Sequence, residues 1–202
     1  AASDVYKRQG LHHLVLEVVD NAVDEHMIGE CDTIKITFNK NGSVTVEDNG
    51  RGMPVDPHPV YKKPAMEIIV TKLHAGGKFD GKSYAVSGGL HGVGISVVAA
   101  LSSDMTVEVK KGGTVYSQSY TIGKPKHAVK KIGKYKGNAS GTKVTFMPDD
   151  SIFSTIDFDF STIETRVREV CFLNAGLKVI LTDERNGGEP VIKEFKYDGG
   201  LT

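Results

Sequence analysis

The stretch TIKITFNKNGSVTVED, residues 33–48, leaves little freedom about what must surround it. Ile34, Ile36 and Phe38 alternate with polar residues, Asn41-Gly42 supplies a tight turn, and Val44 and Val46 resume the alternation. A two-residue period on both sides of an Asn-Gly turn predicts an antiparallel hairpin with one apolar and one wet face. The apolar face needs a cover, so this hairpin calls for helices or a second sheet packed against it.

Helices are at hand. From Leu11 to Ile28, Leu14, Val18, Ala22 and Val23 recur at helical spacing, which predicts an amphipathic helix of about five turns. AMEIIVTKLHA, from Ala65, reads as a second helix after the turn-rich loop NGRGMPVDPHPVYKKP. Residues 76–91 read as a long glycine- and serine-rich loop, and a third helix is predicted from near Gly92 to Leu101. Strands follow near 105–110 and 114–121, joined at Gly112-Gly113, and GTKVTFMP is another. STIETRVREVCFLN predicts a helix with Ser161 as N-cap and Glu164 completing a capping box. A last hairpin turns at Asn186 to Gly188. The fold class is α/β, an α+β sandwich in which helices cover one face of a mostly antiparallel sheet.

Composition narrows the function. The formal net charge is zero, so the chain as a whole offers no basic field for nucleic acid. Cys31 and Cys171 have no CxxC spacing, which speaks against a zinc site or disulfide framework and fits a reducing, cytoplasmic setting. They read as small buried hydrophobes. No apolar run approaches the roughly 18 residues of a membrane span. The first nine residues, AASDVYKRQ, contain what one reading frame of a common sequencing-library adaptor encodes; they are set aside as a non-native leader to a domain at 10–202.

Three stretches carry candidate chemistry. Glu17, Asn21, Asp24 and Glu25 share one face of the first helix. That face is either a solvated polar stripe or a carboxylate that polarises water, with an amide oxygen for Mg²⁺. EDNGRGMP, residues 47–54, either ends a strand in a turn or presents Asp48 to an exocyclic amine. In SGGLHGVG, residues 87–94, the glycines make either a loose turn or an anion cradle of free amides at Gly92, Val93 and Gly94. His12, His13, His74 and His91 have no second ligand at metal spacing and read as histidines satisfied by backbone.

The order of the motifs is more specific than any one of them. ExVDNxxDE at 17–25, DNGRGMP at 48–54, GGLHGVG at 88–94 and GTKVTF at 141–146 together resemble the GHKL ATPase superfamily. Within it, GLHHLVLEVVDNAVDE, LHAGGKF and SGGLHGVG are similar to the ATPase domain of bacterial-type type IIA topoisomerase B subunits, nearer the gyrase branch than topoisomerase IV. The GGLHGVG and LHAGGKF segments fit histidine kinases and chaperones of the superfamily less well, and a kinase would be expected to bring a phospho-acceptor histidine helix upstream.

The resemblance implies the GHKL (Bergerat) ATP-binding fold and Mg-ATP hydrolysis that drives DNA strand passage. It makes Glu17 the general base, Asn21 the Mg²⁺ ligand, Asp48 the acceptor for the adenine amine and Thr142 the partner of Asp48 on a bridging water. Asp24, Glu25, Arg51, Gly52, Met53, Pro54 and Ile69 match the adenine pocket and its outer edge. Residues 76–94 match the ATP lid, with Lys78 near the phosphates, Tyr84 toward the nucleoside, and Leu90, His91, Gly92, Val93 and Gly94 around the phosphates. Implied partners are the gyrase-type A protein, in a heterotetramer of two A and two B chains, and DNA; no membrane is implied. By the family pattern, the N-terminal dimerisation arm is expected to be missing or replaced and the following transducer domain to lie beyond Thr202. The chain is therefore expected to bind ATP, hydrolyse it slowly and stay largely monomeric. Two positions depart from the pattern: Ala85 stands where a lysine is common, and Lys111 where an arginine that anchors coumarin-type inhibitors is usual.

Overall fold

The computed structural model describes residues 2–72 and 94–199. The elements, in order, are α1 (Ala2–Met27), β1 (Thr33–Phe38), β2 (Val44–Asp48), α2 (Ala65–Thr71), α3 (Gly94–Ala100), β3 (Ser102–Lys111), β4 (Thr114–Thr121), β5 (Lys124–Pro125), β6 (Lys130–Lys134), β7 (Gly141–Pro148), α4 (Phe160–Leu173), β8 (Lys178–Asp183) and β9 (Val191–Lys196).

The strands form one sheet in the order β5-β4-β3-β7-β2-β1-β8-β9, with β6 also paired to β4. The hairpin predicted at 33–48 forms with Ile36 opposite Val46 and Phe38 opposite Val44. Among the described residues every strand pairing is antiparallel except β1 with β8, which run parallel from Thr33–Lys178 to Phe38–Asp183. Alternation sends Ile34, Ile36, Phe38, Val44, Val46, Met105, Val107, Val109, Val144, Phe146, Val179 and Leu181 into a single core. The four helices cover that face, and α1 seals it with Leu11, Leu14, Val15, Val18, Val19, Ala22 and Val23. This is the two-layer arrangement expected from the patterning. On the opposite face, Thr45 meets Thr145 and Thr106 meets Ser119 through their hydroxyls at 3.0 and 2.9 Å.

Several local expectations need correction. Helix α1 begins at Ala2 rather than near Leu11, because nothing between Ala2 and Gln9 breaks a helix and Gly10 alone costs only about 1 kcal/mol. The cap of α4 is Asp159, not Ser161. The Asp159 carboxylate accepts from the hydroxyls of Ser161 and Thr162, while Glu164 pairs with Arg168 and Lys193 instead of closing a capping box. Strands β5 and β6 add to those expected, since Lys124-Pro125 is too short and KKIGK too polar to show a strand period. Both cysteines are free and buried, as expected.

Candidate nucleotide site

Stretches far apart in the sequence meet: α1 touches the first residue of α3 through Glu17 and the loop after β2 through Glu25, and the end of β2 meets the start of β7. Each is held there by contacts that can be named.

Glu17 lies on the side of α1 next to α3, with its side chain only 10% exposed. Its Oε1 is 2.7 Å from Nε2 of His13, one turn earlier. Its Oε2 is covered by Gly94, where a Cβ would fall far inside van der Waals contact. Only a glycine lets the start of α3 rest on this carboxylate. A carboxylate confined on one side and tethered on the other is well suited to take a proton from a small molecule such as water. The bland reading of His13 is thereby corrected: its ring meets a carboxylate, not backbone. His12 does find backbone, its Nε2 accepting from the amide of Asp159 at 2.7 Å.

Asn21 and Asp24 follow on the same face and are half-buried. The Asp24 carboxyl is pushed up to about 6, first by burial and then by the neighbouring charges of Asp20 and Glu25. Glu25 is buried rather than solvated, and it grips the loop after β2. Its carboxylate accepts from Nε and NH2 of Arg51 at 3.1 and 2.9 Å and from the Arg51 amide at 3.0 Å. The two expected pocket-edge residues thus clasp each other in a bidentate pair.

Asp48 ends β2 on the buried face. Its Oδ1 accepts from the amides of Gly50, at 2.8 Å, and Thr142, at 3.3 Å. Burial pushes this carboxyl up to about 6 in spite of those two amides. Oδ2 accepts from no described residue, which leaves it able to receive an N–H from a ligand. Thr142 also takes the amide of Met53 on its hydroxyl at 3.0 Å, and Met53 is buried beneath. Pro54 and Ile69 are half-buried nearby in sequence and on α2, Ile69 packing on the core. Gly52 backs onto Val109, and its carbonyl accepts from Nζ of Lys111 at 3.3 Å.

The supports of this loop carry residues that the motif reading passed over. Ser140 donates to the carbonyl of Gly50 at 2.6 Å. Gly141 lies so close to the Asp48 carbonyl that any Cβ there would collide with it. Asn49 accepts from the amides of Asp32 and Thr33 and donates to the Asp32 carboxylate. A sequence signal exists for His13, its i, i+4 spacing to Glu17, and for Gly141, its place before Thr142 at a strand start; Ser140 and Asn49 carry none.

Lys78, Tyr84, Leu90, His91, Gly92 and Val93, together with His74 and Ala85, lie outside the described residues. Among the described residues no three His, Cys, Asp or Glu side chains converge on a point that could hold a metal ion. None of their helices is long and apolar enough to cross a membrane.

Residues 6–152 match the family model described as histidine kinase-, DNA gyrase B-, and HSP90-like ATPase. The DNA gyrase B protein of Haloferax volcanii is 51% identical over 197 residues, covering 96% of this chain and 30% of that protein. The protein of the same name from Thermotoga maritima is 52% identical over 194 residues, again covering 96% and 30%. The solved 43K ATPase domain of Thermus thermophilus gyrase B, in complex with an aminocoumarin, is similar with a TM-score of 0.81 and 41% identity. That match covers 95% of this chain and 47% of the solved one. The chain spans 30% of the length of these two curated relatives.

Proposed function

Because the chain belongs to the histidine kinase-, DNA gyrase B- and HSP90-like ATPase family, we propose that it binds and hydrolyses Mg-ATP as the ATPase module of a gyrase B-type topoisomerase. In the whole enzyme that hydrolysis drives DNA strand passage and negative supercoiling, in company with the gyrase A protein, in the cytoplasm. The observation that carries this reading is the confinement of Glu17 between His13 and Gly94.

The residues divide the work. Glu17 takes the proton of the attacking water, and His13 keeps its carboxylate in one orientation. Asp48 receives the exocyclic amine of adenine on Oδ2, while the Thr142 amide holds Oδ1 of the same carboxylate. The clasp between Glu25 and Arg51 holds the loop against which the base lies flat, with Met53, Pro54 and Ile69 as its apolar border. Asn21 would hold Mg²⁺ through its amide oxygen, a hard donor of the kind that ion favours. The bound ion supplies neutralisation of the charge that builds on the phosphoryl oxygens. Lys78, Tyr84 and Leu90 to Gly94 take the lid and phosphate roles implied by their motif.

Replacing Glu17 by Ala tests the assignment. Turnover is expected to fall by at least about 100-fold, while nucleotide binding, followed by calorimetry, persists. Hydrolysis at the parent rate would remove Glu17 from the base role. For the whole enzyme, relaxed circular DNA incubated with the full-length protein, its gyrase A partner and ATP should gain negative supercoils. Decatenation without supercoiling would place it on the topoisomerase IV branch.

A further inference from the structure

A net charge of zero conceals a strong separation of charge. From Val109 to Pro148 the chain holds nine lysines, no arginine, and no aspartate or glutamate, so the remainder carries the nine compensating negative charges. The segment folds as the end of β3, all of β4, β5 and β6, and β7, and six of its lysines lie on or beside the strands at the outer edge of β4. Strand β6 pairs with β4 and is exposed at every residue. It supplies Lys130, Lys131 and Lys134, flanked by Lys124 on β5 and Lys136 just beyond. Lys126 and Lys143 have acidic partners, Asp104 and Glu108. Among the described residues Lys124, Lys130, Lys131, Lys134 and Lys136 have none.

Edge strands commonly carry lysine simply to discourage pairing with other chains. The opposite edge of this same sheet shows what that device looks like here. On and beside β9, Lys193 pairs with Glu164, Lys178 with Glu194, and Lys196 with Asp198, so the edge is charged but balanced. Blunting an edge therefore does not require unpaired charge of one sign. The β6 edge has a field that the β9 edge lacks.

We propose that the lysine edge formed by β5 and β6 binds the phosphate backbone of duplex DNA without reading its sequence. From Lys130 to Lys134 the strand extends about 13 Å, a length over which duplex DNA presents about eight charges. Lysine neutralises phosphate as a flexible point charge, whereas reading of base edges favours the planar fork of arginine, which this segment lacks. The choice of DNA among polyanions rests on the gyrase B-type reading; the charge separation does not. The edge is separate from Asp48, since β4, β3 and β7 stand between them.

The test compares three forms of the 202-residue chain. In the first variant Lys130, Lys131, Lys134 and Lys136 become Gln; in the second Lys35, Lys40, Lys178 and Lys196 do. Fluorescence anisotropy with a short labelled duplex, between about 50 and 200 mM salt, gives affinity and its salt slope. The parent should bind with a slope that the β6 variant lowers by about three to four, with at least a tenfold loss of affinity at the lower salt. The second variant, with the same change of charge, should stay within about threefold of the parent. Equal losses in both variants, or no binding by the parent, would overturn the proposal. So would binding to phosphatidylglycerol vesicles but not to DNA, which would assign the edge to a membrane surface. Mg-ATP binding is measured on all three forms: its absence in the parent would count against the nucleotide site, and its presence without DNA binding against the lysine edge alone.

Discussion

Nε2 of His13 and Oε1 of Glu17 stand 2.7 Å apart, one turn from each other on α1, the imidazole exposed and the carboxylate nearly covered. The pair joins solvent to a confined carboxylate, and its first consequence concerns rate rather than affinity. Replacing His13 by Ala leaves Glu17 in place but free to rotate. Single-turnover hydrolysis is expected to slow by about tenfold or more, a part of what a general base contributes. The nucleotide Kd should stay within about twofold. A parallel loss of binding would mean that His13 supports the pocket as a whole.

Gly94 presses on the same carboxylate from the other side. Gly94→Ala forces either α3 or Glu17 to move, and overpacking of this kind costs about 1–3 kcal/mol. Denaturant midpoints should show that loss, together with slower hydrolysis. In the Gly94→Ala, Glu17→Ala double variant the collision disappears, so the two substitutions should be strongly non-additive in stability. Simple additivity would show that Gly94 is needed for its backbone alone.

Asp48 imposes opposite pH trends on folding and on binding. Its carboxyl is raised from 3.8 to about 6 by burial, so the fold favours the protonated form. Its stabilising contribution is complete below about pH 4 and is lost as pH rises through about 6. Adenine's amine needs an acceptor, and the ionised carboxylate is the stronger one, so affinity should rise over the same interval. The ratio of parent to Asp48→Asn affinities cancels titration of the nucleotide and isolates this effect. Asp24 is raised to a similar value, and Asp24→Asn is the control that should leave the ratio unchanged.

The clasp between Glu25 and Arg51 is buried at its acidic end. Arg51→Ala strands a covered carboxylate, which should cost about 1–3 kcal/mol of stability and weaken nucleotide binding several-fold as the loop at 49–53 loosens. Arg51→Lys keeps the charge but not the fork, and should recover only part of the loss. Full recovery would reduce the clasp to a simple charge pair.

Lys111 reaches the carbonyl of Gly52 at the rim of the site. Lysine cannot make a bidentate contact there. Aminocoumarin affinity should therefore rise by about tenfold in Lys111→Arg, close to the roughly 1.5–3 kcal/mol of a hydrogen bond to a charged group. Equal affinity in the two forms would show that the arginine fork contributes nothing at this position.

Periodic burial made the sheet and its helical cover legible in the sequence: the 33–48 hairpin, α1 and β7 all obey a two- or 3.6-residue repeat. Glu17, Asn21 and Asp48 stood out because polar groups at motif spacing interrupt or end those repeats. The supports did not stand out, since a contact such as Ser140 with Gly50 or Gly94 with Glu17 joins segments whose approach depends on the whole fold. Strand β6 escaped notice for the opposite reason: it buries nothing, and only its pairing with β4 makes it a strand. Summed charge likewise averaged away the lysine edge that pairing reveals.

The one parallel pairing, β1 with β8, has a consequence for the order of assembly during synthesis. Thr33 must wait for Lys178, so a ribosome has to extend most of the chain before the β8-β9 flank of the sheet can close on β1. Asp48 and Thr142 lie on strands, and the Glu25–Arg51 clasp on a helix and a loop, that all emerge earlier. A nascent chain arrested after Pro148 should already hold the hairpin and β7 together, yet expose the flank of β1 to chaperones until α4 and β8 arrive.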